Sequence, residues 1–91
     1  MVVRDRAQQL IARWIEPHPW KGGRAEALVR GSSVPVWAII GQLGGDTGDP
    51  AAVAEVAGDY DLPAEAVEAA LAYYRAHRGA LDERLAANAS R

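Results

Sequence analysis

The stretch AAVAEVAGDYDLPAEAVEAALAYY, residues 51–74, decides the fold. It carries two apolar stripes at helical spacing: Val53, Val56, Ala57 and Tyr60, then Val67, Ala70, Leu71 and Tyr74. Residues three and four apart share one face of a helix, so each half presents one apolar side. Asp49 suits an N-cap and Pro50 the first helical position. Gly58 is expected to end the first helix, and Leu62-Pro63 to open the second, which runs through residues 64–87. Small side chains let the two helices approach closely. The layout, helix, tight turn, helix, is that of a helix-turn-helix.

Working downstream, the stripe continues through Leu81 and Leu85. Gly79 interrupts it, at a cost of about 1 kcal/mol relative to alanine. A bend is expected there, or a core helix followed by a projecting tail. Upstream, GSSVPVWAIIGQLGG (residues 31–45) reads as a turn, a helix and a stop. Val36, Ile39, Ile40 and Leu43 lie on one side, and Gly44-Gly45 end the helix. Ala25, Ala27 and Val29 alternate with other residues, a weak period-two signal for one short strand. PHPWKGGRAE (residues 17–26) is loop by composition. Residues 3–15 form an amphipathic helix with Val3, Ala7, Leu10, Ile11 and Trp14 on one face, ended by Pro17 and Pro19.

The expected fold is therefore mainly α: a small helix-turn-helix, homeodomain-like helical domain with an N-terminal helix and one short β-strand before the core. The chain of 91 residues is read as one domain. Residues 1–16 are the N-terminal amphipathic helix, 24–78 the core and 79–91 a C-terminal helical tail.

Hydrophobic content is 49% and charged content 24%, ordinary for a soluble globular chain. Without cysteine, neither a disulfide nor a thiolate zinc site can staple the fold. No apolar run approaches the ~20 residues of a membrane helix, and charges occupy the place of a signal-peptide core. A cytoplasmic location is expected. The net charge of −2 argues against a strong nucleic-acid binder. The charge is uneven: residues 1–45 hold six basic and three acidic residues, whereas residues 46–91 hold four and nine. An anionic partner is expected to meet the first half.

No residues assemble a catalytic or cofactor-binding pattern, so no enzyme, no cofactor and no metal is expected. His18 and His77 lack metal-ligand spacing. Glu65 and Glu68 have the spacing of an acid–base pair, but in the first turns of a helix they complement its macrodipole. Gly44–Asp49 has no lysine, follows a helix rather than a strand and carries acids that repel phosphate. Trp14 and Trp37 read as core; Trp20, in a loop, is a cap over the core or a contact residue. Tyr73 and Tyr74 are adjacent, so only Tyr74 is expected in the core and Tyr73 on a flank. The second helix of the helix-turn-helix offers Glu65 and Glu68 where a DNA reader needs donors.

Two blocks carry a family resemblance: GGRAEALVRGSSVPVWAIIGQL, and DYDLPAEAVEAALAYYRAHRGALDERLAAN after a loop. They resemble Domain of Unknown Function family 433, also described as VapB-type antitoxin-like. Leu62, Glu65, Val67, Ala70, Leu71, Tyr73 and Tyr74 fall in register with its L-[ST]-x-E-x-V-x-x-A-L-x-Y-Y pattern. The resemblance covers roughly residues 15–88. It implies a homeodomain-like domain, a bacterial toxin–antitoxin setting and a PIN-type ribonuclease toxin as the protein neutralised, with promoter DNA as a second partner. Ser32-Ser33 stand where the family has Thr-Arg, and Pro63 where it often has a capping Ser or Thr. Serine still supplies a turn hydroxyl, but the arginine charge is lost.

Two functional expectations follow. The first is an antitoxin-like protein that docks a ribonuclease toxin through Trp20, Tyr73, Arg75, Arg78, Leu81 and Leu85. The second is a dimeric DNA-binding transcriptional regulator, a homodimer with two-fold symmetry, that meets phosphates through Arg4, Arg6, Lys21, Arg24, Arg30, Ser32 and Ser33.

Overall fold

The computed structural model of the chain describes residues 5–90. It is mainly helical, with one short two-stranded sheet. Helix α1 spans Arg6–Trp14, and the Asp5 carboxylate caps it by accepting from the Gln8 N–H at 2.8 Å. The expected start at Val3, and Arg4 beside it, lie outside the described residues. Ile15 leaves helical geometry, and Ile15–Glu16 form β1. β1 pairs antiparallel with β2, Leu28–Val29, in the register Ile15↔Val29 and Glu16↔Leu28.

One strand over 25–29 was the expectation; there are two, and residues 24–26 wind into a 3-10 turn instead. The alternation misled because Ala27, Leu28 and Val29 are all buried, so no face of that segment is polar. Beyond β2 the chain turns at Gly31, whose φ of 76° favours glycine. It then returns along β2, with the Val29 N–H donating to the Val34 carbonyl at 2.9 Å.

Helix α2 spans Val36–Leu43 and buries Val36, Ile39 and Ile40. Gly44 closes it in the left-handed region, as the glycine pair predicts. Helix α3 spans Pro50–Tyr60, with Asp49 as N-cap and Pro50 first, also as expected. Gly58 does not end it. The helix runs two residues further and closes at Asp61 (φ 56°), with the Leu62 N–H on the Ala57 carbonyl at 2.8 Å. Aspartate is among the few residues that tolerate this conformation.

Helix α4 spans Ala64–Ala76 and α5 spans Arg78–Ala89. The break between them falls at His77 (φ −134°, ψ 41°) and not at Gly79, which lies in the first turn of α5. The His77 ring packs on Tyr73 at 4.6 Å between centroids, and its N–H is shared by the Tyr73 and Tyr74 carbonyls. Because the chain turns there, α5 folds back onto α2 and the 3-10 turn. Leu81 is fully buried, so the second half of the long helix is packed against the core rather than projecting.

Helix α4 is the centre of the fold. Residues Ala66, Val67 and Ala69–Tyr74 are all buried, with α1, α2 and α3 packed around them. Its alanines permit this close approach on several sides at once. Both tyrosines are buried, which corrects the placement of Tyr73 on a flank. Neighbours on a helix differ by about 100°, and a helix enclosed on several sides has room for both. Trp14 and Trp37 are half-buried and pack against the core from its edge. Among the described residues, no helix is long and apolar enough to cross a membrane.

Candidate functional site

Ion pairs between the two halves of the sequence offset part of its charge asymmetry. Arg6 lies 3.5 Å from Glu68 and Arg13 lies 3.3 Å from Glu65, joining α1 to α4. The Trp14 indole N–H also donates to Glu65, at 3.1 Å. Arg30 closes the end of α1: its guanidinium donates to the carbonyls of Ala12, Arg13 and Ile15, and it pairs with Glu16 at 3.6 Å. A cation on the last carbonyls of a helix is favoured by their unpaired acceptors and by the macrodipole.

Ser32 is equally committed. Its hydroxyl donates to the Val29 carbonyl at 2.8 Å and accepts from the Val34 N–H at 3.2 Å. Of the expected phosphate-contacting residues, Arg30 and Ser32 are therefore held by backbone carbonyls, while Arg6 makes one exposed ion pair. Ser33 is exposed, and Arg4 lies outside the described residues.

The expected partner-contacting residues divide in the same way. Tyr73 is buried and its hydroxyl donates to the Arg24 carbonyl at 2.8 Å. Leu81 is core, and Leu85 is half-buried against it. Arg75 and Arg78 both bind Asp46, at 2.8 and 2.7 Å, and Arg78 also lies over the Tyr74 ring. Hydrogen bonds from Arg78, then Arg75, hold the Asp46 carboxyl below its usual value. These two arginines anchor the loop after α2 to the α4–α5 junction. Arg84 pairs with Glu26 at 3.0 Å and covers the Trp37 ring at 4.3 Å.

What remains is the loop before the 3-10 turn. Lys21 and Arg24 are the cations that form no ion pair among the described residues. Between β1 and Lys21 stands Trp20, the one exposed large hydrophobic residue among the described residues, at 82%. The loop is held from within. His18 Nδ1 accepts from the N–H groups of Trp20 and Lys21 at 3.2 and 3.0 Å, and its ring meets Trp20 edge-on at 5.1 Å. A cleft lies on each side. One, of about 430 Å³, is floored by Ile11, Ile15, Ala27 and Tyr73. The other, of about 300 Å³, is walled by Trp20, Leu28, Pro35 and Trp37.

His18 braces the loop, a role beyond the metal-ligand spacing considered for it from the sequence. The signal was present: Pro17 and Pro19 have no N–H, so Trp20 and Lys21 supply the next donors after the second proline. No group of three metal-ligating side chains converges among the described residues.

A family model described as a protein of unknown function (DUF433) matches residues 23–74. The chain belongs to the DUF433 family. The match runs from Gly23 to the second tyrosine of α4, so in this DUF433 chain it includes Arg24, β2, α2, α3 and the whole buried part of α4. Helix α1, Trp20 and α5 lie outside it. No curated protein and no solved structure matches the chain.

Proposed function

We propose that this DUF433 chain is an antitoxin-like protein of a bacterial toxin–antitoxin pair, which binds and neutralises a PIN-type ribonuclease toxin by direct protein contact. The observation that carries a protein partner over a DNA site is the enclosure of α4. A reading helix needs an open face for the major groove. Here α1 lies across α4, and the glutamates near its N-terminus are paired to α1. Of the arginines that a dimeric regulator would aim at phosphates, Arg6 pairs with Glu68, and Arg30 is engaged with Glu16 and with helix carbonyls. An exposed tryptophan on a braced loop, by contrast, suits a protein interface, where tryptophan is enriched at the residues that dominate affinity.

The test is co-expression with the product of the neighbouring gene, expected to be a PIN-type ribonuclease. A stoichiometric complex and rescue of growth are expected. No complex together with no rescue overturns the proposal. The regulator is tested separately: binding to upstream DNA that falls steeply with salt would favour it.

A further inference from the structure

We infer that the Trp20 loop is the docking surface, and that its occupant is an extended segment of a partner protein in which carboxylates alternate with apolar side chains. This rests on the protein-binding reading above and specifies its surface and the chemistry of the partner.

Three observations converge on the loop. Trp20 is 82% exposed while every other large apolar side chain described is at least partly covered. Its backbone is nevertheless fixed by the two hydrogen bonds to His18. A contact residue that is already ordered loses little conformational entropy on binding. The clefts are lined by apolar side chains, Ile11, Ile15, Ala27 and Tyr73 in one and Leu28, Pro35 and Trp37 in the other, and two separate clefts flanking one loop suit the alternating side chains of an extended segment.

Charge selects the occupant. Lys21 lines both clefts and Arg24 the first, and neither has an intramolecular carboxylate. Every other described cation is paired. An acidic segment would therefore gain two partners here without displacing an existing ion pair, and mixed-sign contacts at an interface set orientation and on-rate. A nucleic acid fits less well, because two cations are few against a phosphate backbone and apolar clefts offer nothing to its phosphates.

The experiment uses the full chain and three probes: a fluorescein-labelled short peptide of alternating glutamate and leucine, its lysine–leucine counterpart, and a short oligothymidylate. Anisotropy reads binding, and the part of the tryptophan-emission change that disappears in Trp20→Ala reads contact with Trp20. The glutamate–leucine peptide is expected to bind, to shift the emission and to weaken at high salt. Trp20→Ala is expected to weaken it about tenfold or more, the loss typical of a dominant interface residue. The double variant Lys21→Glu/Arg24→Glu is expected to abolish it. Circular dichroism of each variant checks that the fold is intact.

Equal binding of the lysine–leucine peptide, unchanged affinity in Trp20→Ala, or no binding of the acidic peptide overturns the inference. Tighter binding of the oligothymidylate replaces it with a nucleic-acid surface. Trp20-dependent dimers in light scattering replace it with a second copy of this chain. Because the peptide assay needs no toxin, the two readings fail separately. A chain that binds the peptide but no ribonuclease keeps the surface and loses the antitoxin reading. A ribonuclease complex unaffected by Trp20→Ala keeps the antitoxin reading and loses the surface.

Discussion

The Tyr73 hydroxyl donates to the Arg24 carbonyl across 2.8 Å, tying the last turns of α4 to the 3-10 turn beneath the Trp20 loop. Burial raises the pKa of this phenol, so it remains a donor across the working range of pH. One buried hydrogen bond thus links the centre of the fold to its candidate surface. Tyr73→Phe keeps the ring and removes the donor, while the Ala27 N–H still serves the Arg24 carbonyl. A loss of about 1 kcal/mol is expected. Urea unfolding checks it, and an unchanged midpoint would show that the bond contributes nothing.

Leu81 and Leu85 distinguish a packed α5 from a free tail. Leu81 is fully buried and Leu85 half-buried, against Gly41 of α2, where even an added Cβ would stand only 3.4 Å from the leucine. Leu81→Ala is expected to cost about 2–5 kcal/mol, the range for emptying a core leucine site, and Leu85→Ala distinctly less. Thermal unfolding compares the two. Equal, small losses would mean that α5 is not part of the core.

Glu65 binds two neighbours on α1, the Trp14 indole and the Arg13 guanidinium. Glu65→Ala is expected to cost about 1 kcal/mol, nearly all of it from the half-buried indole bond, since an exposed ion pair contributes little. The effect should be local. Amide exchange in α1 should accelerate more than exchange in α4, because local opening has its own free energy. Uniform acceleration of both helices would contradict that.

Acid stability has two separable parts. Burial, with the nearby charge of Arg24, lowers the pKa of His77. The unfolded chain then takes this proton first as pH falls. His77 therefore contributes stability that is fully present above its ordinary value of 6.5 and is lost as pH falls through the depressed folded value. Asp46, lowered by Arg78 and Arg75, contributes in the same direction further down, with losses beginning only below its ordinary 3.8. His77→Gln should flatten the upper decline and Asp46→Asn the lower one. Urea midpoints measured against pH decide it: if His77→Gln falls in parallel with the parent chain between about pH 7 and 5, the histidine has no part in it.

Much of the fold is legible in residue spacing. The stripes Val36–Ile40, Val53–Ala57 and Val67–Leu71 are all buried as their periodicity requires, and Asp49-Pro50 and Gly44 stand at the helix ends as their backbone preferences require. What local pattern could not show is where a helix stops when tertiary contacts outweigh propensity. Gly58 is carried through α3, and the chain breaks at His77, where α5 turns back onto α2 and the 3-10 turn. β1 was hidden for a related reason: two residues have no period, and they become a strand only because β2 lies beside them.

The sequence by itself determined a mainly helical chain, its three inner stripes and the family to which it belongs, because these depend on side chains a few residues apart. Only the tertiary structure decided which charges are free. The basic first half and acidic second half look like an invitation to an anionic partner, but folding sets α1 against α4 and satisfies Arg6 and Arg13 with Glu68 and Glu65. Ion pairing falls off over a few ångströms, so it depends on positions that only packing assigns. Among the described residues Lys21 and Arg24, in the loop segment that follows the exposed Trp20, are the cations left without an ion pair.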